Sequence, residues 1–193
     1  MLQKSYEVNV IMFIAISILL IVRSLDENLD EKTNLQLQLA AFVTIIASMH
    51  YFLMIRSKSK VVSYRYFDWF FTTPILLIDL CLILKIYDPY FIGELVLYNT
   101  TMLLFGFLGE LSVLPIFVSN MLGFIPFVIM YKKILKRIST QNEKMILNGF
   151  FGLWSLYGLN HLNPYSGPKN LTYNILDFIT KGAFGLYIYF NSI

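Results

Sequence analysis

The chain has one cysteine, Cys81, and it stands inside an apolar run. A lone thiol provides neither a disulfide framework nor a metal-holding cluster. Charge is scarce as well: 14% of the 193 residues are Asp, Glu, Lys or Arg, and the formal net charge is only +3. So small and dispersed an excess excludes nucleic acid as a partner. No small-residue cleavage site follows the apolar stretch 8–22, and a charged segment, 23–32, comes instead, so a first membrane span is expected there. Linkers, low-complexity tracts and internal repeats are missing too, which predicts a single compact domain over residues 1–193.

What is abundant is apolar surface. Hydrophobic residues make up 57% of the chain, in runs that approach the ~20 residues needed to cross a bilayer. The breaks between runs predict helices at 7–24, 35–55, 61–85, 90–109, 111–131, 142–162 and 170–191. Merging the fourth and fifth would give a helix of roughly forty residues, far too long for one crossing, so the break from Glu110 to Pro115 counts as a boundary. The expected fold is an all-α integral membrane protein, a seven-transmembrane-helix bundle. With the amino terminus outside, the inward loops hold Arg23, Lys32, Lys85, Lys132, Lys133, Lys136, Arg137 and Lys144, against Lys4, Arg56, Lys58, Lys60 and Lys169 outward. This asymmetry favours the amino terminus outside and the carboxyl terminus in the cytoplasm.

The last apolar segment contains Asp177 and Lys181, four residues apart. Lys181 lies about eleven residues, or roughly 16 Å, from either end, too deep for its side chain to snorkel to water. Ionisable groups at such depth face the bundle interior, pair with each other and mark function, and a buried lysine is a natural anchor for a carbonyl cofactor. The third helix holds a second set. At 100° per residue, Arg65, Asp68, Thr72 and Asp79 share one face within about 60° of Asp68, and Asp68 and Asp79 are separated by a rise of about 16 Å. Two carboxyl groups at different depths with a hydroxyl between them suit a proton relay.

The run Arg65-Tyr66-Phe67-Asp68-Trp69-Phe70-Phe71-Thr72-Thr73-Pro74, followed by Asp79, resembles the third helix of microbial rhodopsins, and Asp177-Phe178-Ile179-Thr180-Lys181 resembles the seventh. The resemblance extends over essentially the whole chain. It implies all-trans retinal held as a protonated Schiff base on Lys181. It also implies Asp68 as proton acceptor and counterion, Asp177 as second counterion, Arg65 beneath them and Asp79 as cytoplasmic donor; Asp68, Thr72 and Asp79 together resemble an outward proton pump. Proteorhodopsins are similar further along: Ala47-Ser48-Met49-His50-Tyr51-Phe52-Leu53-Met54 resembles their second helix, with His50 as the counterion's partner. Gly106-Phe107-Leu108-Gly109-Glu110 and residues 170–177 resemble their fourth and seventh. The shortness of the chain is similar to that of the rhodopsins of large algal viruses. Trp69 and Trp154 are expected to sandwich the polyene, with Tyr157, Tyr51, Thr73, Leu76 and Met102 at the cofactor site.

The chain also departs from the family's pattern. After Trp154 and Tyr157 come Gly158, in place of a kinking proline, and His161, a polar ring beside the expected cofactor ring. Thr180 adds a hydroxyl next to the lysine, and the loop 163–170 has no carboxylate. Transport, not enzymatic turnover, is the expected activity, with protons or other small cations as cargo and a trimer or pentamer in membrane lipid as the assembly. A light-driven outward proton pump is the leading expectation and a light-gated cation channel the alternative. The second helix offers Gln36, Gln38, Thr44 and Ser48 but no glutamate series, while Asn9 and Asn174 supply polar groups that a narrow aqueous path needs. A photosensor ranks third, since the chain has no transducer domain, and chloride or sodium pumping ranks lower, since Asp68 occupies the position those pumps alter.

Overall fold

The computed structural model describes residues 1–192, apart from the side chain of Lys58. Both that side chain, counted above among the outward charges, and Ile193, the end of the expected domain, lie outside the described residues. The helices are α1 (Leu2–Ser24), α2 (Glu31–Arg56), α3 (Val61–Ile83), α4 (Pro89–Glu110), α5 (Ile116–Leu135), α6 (Gln141–His161) and α7 (Ser166–Asp177). After Asp177 the last helix passes through a π-helical turn, Phe178–Ala183, and finishes as the α-helix Phe184–Asn191. A 3₁₀ turn, Lys58–Lys60, precedes α3. Helices α1 to α5 each include an apolar stretch long enough to cross a membrane.

Polar residues that apolarity alone assigns to loops set several helix starts. The second helix begins at Glu31, four residues before the expected 35, because Asp30 accepts from the backbone N–H groups of Lys32 and Thr33 at 3.0 and 3.1 Å. Asp88 caps α4 in the same way, with Pro89 at the first helical position. Thr140 and Glu143 form a reciprocal capping box at α6. Pro115 precedes α5, which therefore runs Ile116–Leu135, four to five residues later than expected. The first helix reaches back to Leu2, since Lys4 and Glu7 are good helix formers that a hydropathy reading discounts.

The chain divides into two compact units, Met1–Asp79 with the chain from Asn170 onward, and Leu80–Lys169. In the first, α1 and α2 pack through Phe13, Ile16 and Leu20 against Leu37, Ala40, Ala47 and Tyr51, with a Ser17–Thr44 hydroxyl bond of 2.8 Å between them. Polarity is inverted relative to a water-soluble domain. Phe67 and Phe71 of α3 are 54% and 58% exposed, whereas Asp68 and Thr72 beside them are fully buried. Such a surface is compatible with lipid and incompatible with water. In the second unit, Phe124, Phe127, Phe150, Phe151 and Trp154 form an aromatic ladder between α5 and α6.

Candidate functional site

The ionisable residues singled out on α3 and α7 meet in the first unit. Lys181 Nζ touches Asp68 Oδ2 and lies 3.7 Å from Asp177 Oδ1, and all three side chains are excluded from solvent. A buried ammonium is tolerated only with such compensation, because removing an ion from water costs several kcal/mol. The two carboxylates are held differently. Asp177 is engaged on both oxygens: Tyr51 Oη and Arg65 Nη1 donate to Oδ2 at 2.7 and 3.2 Å, and Trp69 Nε1 donates to Oδ1 at 3.0 Å. Asp68 Oδ1 has no hydrogen-bond partner among the described residues.

Arg65 is buried among aromatic faces, with Tyr51, Trp69 and Tyr173 5.3–5.9 Å from its guanidinium carbon. Its Nη2 donates to Asn174 Oδ1 at 2.7 Å and to Asn170 Oδ1 at 3.4 Å. Tyr173, not anticipated from the sequence, packs edge-on against Trp69 at 5.0 Å. Its signal was its place one turn before Asp177, on the same face of α7.

His50 differs from expectation. Its Nδ1 is 3.0 Å from the carbonyl of Ile46, which can only accept, so this nitrogen carries the hydrogen. It approaches Asp68 Oδ1 at 4.0 Å, close enough for electrostatic influence but not for a hydrogen bond. Thr72 lies between the two α3 carboxyl groups as expected, with its hydroxyl donating back to the Asp68 carbonyl at 2.9 Å. Thr73 and Thr180 likewise bond to Trp69 O and Leu176 O. Asp79, wholly buried, has no hydrogen-bond partner on either oxygen among the described residues. Leu76 is buried on the same helix.

The remaining expected pocket residues belong to the second unit. Trp154 is buried against Phe150, ring centres 4.6 Å apart, and Met102 and Tyr157 are half-buried. His161 is not among apolar neighbours: its Nδ1 is 3.1 Å from Glu110 Oε1 and its Nε2 3.3 Å from Ser119 Oγ. Lys169 Nζ reaches the same carboxylate at 2.5 Å. In the sequence Glu110 is a helix boundary and the end of the run that resembles the proteorhodopsin fourth helix, and Lys169 a loop charge; nothing in their spacing joins either of them to His161.

The first-unit residues suit a carbonyl cofactor joined to Lys181 as a cation. A buried amine, two carboxylates to balance positive charge and the indole of Trp69 beside them are the groups such a cofactor needs.

The family model described as "Bacteriorhodopsin-like protein" matches residues 1–192. The green-light absorbing proteorhodopsin of Gamma-proteobacterium EBAC31A08 is 26% identical over 84% of this chain and 76% of its own length. Among solved structures, the viral rhodopsin OLPVRII superposes with a TM-score of 0.91 at 24% identity, covering 97% of this chain and 95% of that one. The Exiguobacterium sibiricum rhodopsin follows at 0.83 and 20%, covering 99% and 94%. These likenesses show a shared seven-helix membrane fold.

Proposed function

Because the chain belongs to the bacteriorhodopsin-like family, and so is a microbial rhodopsin and a retinal protein of the membrane, we propose that it is a light-driven outward proton pump using all-trans retinal held on Lys181. The observation that carries this reading is the buried Lys181–Asp68 pair on the α3 face that also bears Asp79. Retinal, held through Lys181 Nζ when bound, would supply visible absorption and a light-driven isomerisation.

In this reading Lys181 Nζ holds the proton in darkness and Asp68 accepts it, because Asp68 Oδ1 is without a hydrogen-bond partner among the described residues while both oxygens of Asp177 are engaged. Asp177, braced by Tyr51, Trp69 and Arg65, keeps negative charge beside Nζ throughout. Asp79, about 16 Å along α3, returns a proton to Nζ from the cytoplasmic side, and its complete burial prevents premature exchange. The amino terminus outside, as loop basicity favours, gives transport its outward sense.

A second reading, a light-gated cation channel, draws on the polar column of Ser5, Asn9, Tyr51 and Asn174 in the first unit. Photocurrent recorded against voltage separates the two. A pump current keeps its outward sign across ordinary membrane potentials; a current that reverses at the Nernst potential of a permeant cation makes the protein a channel.

A further inference from the structure

The basic residues at the end of α5 fall into two ridges. Lys133 and Arg137, four residues apart, are taken up by α4: Lys133 Nζ meets Glu94 Oε1 at 2.9 Å, and Arg137 Nη2 meets Asp88 Oδ2 at 3.3 Å. The unit Leu80–Lys169 has two further carboxylates, and both are committed elsewhere. Glu143 accepts from the backbone N–H groups of Ser139 and Thr140 at 3.1 and 2.9 Å, and Glu110 lies against Lys169 and His161. Lys132 and Lys136 form the other ridge. Both are exposed, and neither is in an ion pair among the described residues. Along the helix from them the same face is apolar: Phe117, Met121, Ile125 and Val128 are each at least 40% exposed. At 100° per residue these four and the two lysines lie within an arc of about 100°. The rise from Phe117 to Val128 is about 16 Å, close to half of the ~30 Å hydrocarbon core and so to the depth of one leaflet.

We propose that this face of α5 binds an anionic phospholipid, its phosphate held between the ammonium groups of Lys132 and Lys136 and one acyl chain lying along Val128, Ile125, Met121 and Phe117. Residues four apart on a helix have Cβ atoms about 5–6 Å apart, so both flexible side chains reach one phosphate. Like charges at this spacing repel, and an anion between them replaces repulsion by attraction. A zwitterionic headgroup carries its own cation and has no net charge to balance the pair. Each basic residue at a membrane surface favours anionic lipid, and two of them together favour it by about 30-fold. A second copy of the chain fits this face less well. The six residues include no carboxylate, and a two-fold contact through them sets lysine against lysine.

The proposal holds whether the chain pumps or conducts, and its test needs no light-driven transport. The full chain is placed in bilayers of equal parts phosphatidylglycerol and phosphatidylcholine, and the lipid retained on it is counted by native mass spectrometry. Phosphatidylglycerol is expected to be retained over phosphatidylcholine by about 30-fold. Lys132→Gln combined with Lys136→Gln is expected to abolish the preference. Lys85→Gln combined with Lys144→Gln removes the same charge from the same unit and is expected to leave it. A phosphatidylglycerol with a photoreactive acyl chain is expected to label residues 117–136. Equal loss of preference in the two double variants, the result of diffuse surface charge, overturns the proposal. So does label spread evenly over the exposed faces of α1 and α3, the result of unselective lipid. Ile125→Cys tests the remaining occupant, because Cys81 is buried: a disulfide-linked dimer in the membrane makes this face a contact between copies and also overturns the proposal.

Discussion

Lys181 Nζ rests against Asp68, 113 positions away, while Asp177, one turn before it on the same helix, stays at 3.7 Å. Two features produce this. The π-helical turn at Phe178–Ala183 changes the angular spacing around the lysine, and both oxygens of Asp177 are committed to Tyr51, Trp69 and Arg65. The lysine therefore has one carboxylate in direct contact and a second at 3.7 Å.

Lys181→Ala is expected to yield no visible pigment when retinal is added, read from the absorption spectrum. In the colourless protein the same substitution leaves Asp68 without its cation and costs ~3–5 kcal/mol, the usual range for breaking a buried pair. Adding Asp68→Asn recovers part of that loss in thermal unfolding.

Acidification is expected to protonate Asp68 and red-shift the pigment, read from a spectral titration. Because His50 approaches to 4.0 Å without a hydrogen bond, its influence is electrostatic. A spectral titration of His50→Asn is expected to show a displaced midpoint; a superimposable curve removes His50 from the counterion's surroundings.

Asp79→Asn is expected to leave the colour unchanged and slow the return of a proton to Lys181 Nζ by about 100-fold, the scale of losing a positioned proton donor. Flash photolysis measures this as a prolonged deprotonated state, shortened by added azide if a donor is what is missing.

Gly109→Ala drives a methyl into Ser119 Oγ and to 2.8 Å from its Cβ, where a short side chain has little room to yield. A loss of ~1–3 kcal/mol is expected. Combining it with Ser119→Gly restores thermal stability, unless the glycine is needed for its backbone and not for space.

Asp30 has its carboxyl held below the ordinary value of 3.8 by the hydrogen bonds it accepts from Thr33, side chain then backbone. A lowered folded-state value means that the cap's contribution is present above about 4 and is lost as pH falls through that lowered value. Hydrogen exchange at Lys32 and Thr33 is expected to show this acid loss in the wild type, and Asp30→Asn is expected to be flat over the same range.

Apolar runs of bilayer length made seven helices legible in the sequence, because hydrocarbon requires every backbone polar group to be paired and a single apolar run of that length achieves this within itself as a helix. The i, i+4 spacing of Asp177 and Lys181, and the single face shared by Arg65, Asp68, Thr72 and Asp79, are one-dimensional consequences of helical periodicity, and both sets are buried. Helix ends at Asp30, Pro115 and Ser166 were read less well, since caps act through a few polar atoms that hydropathy does not register. Only the tertiary structure decided which carboxylate takes the lysine, that His50 turns its Nδ1 to Ile46, that Arg65 is divided between Asn174 and Asn170, and that His161 joins Glu110 and Lys169. Each is a choice among several partners within reach. Such choices depend on distances of a few tenths of an ångström between residues on different helices, which periodicity along one chain does not encode.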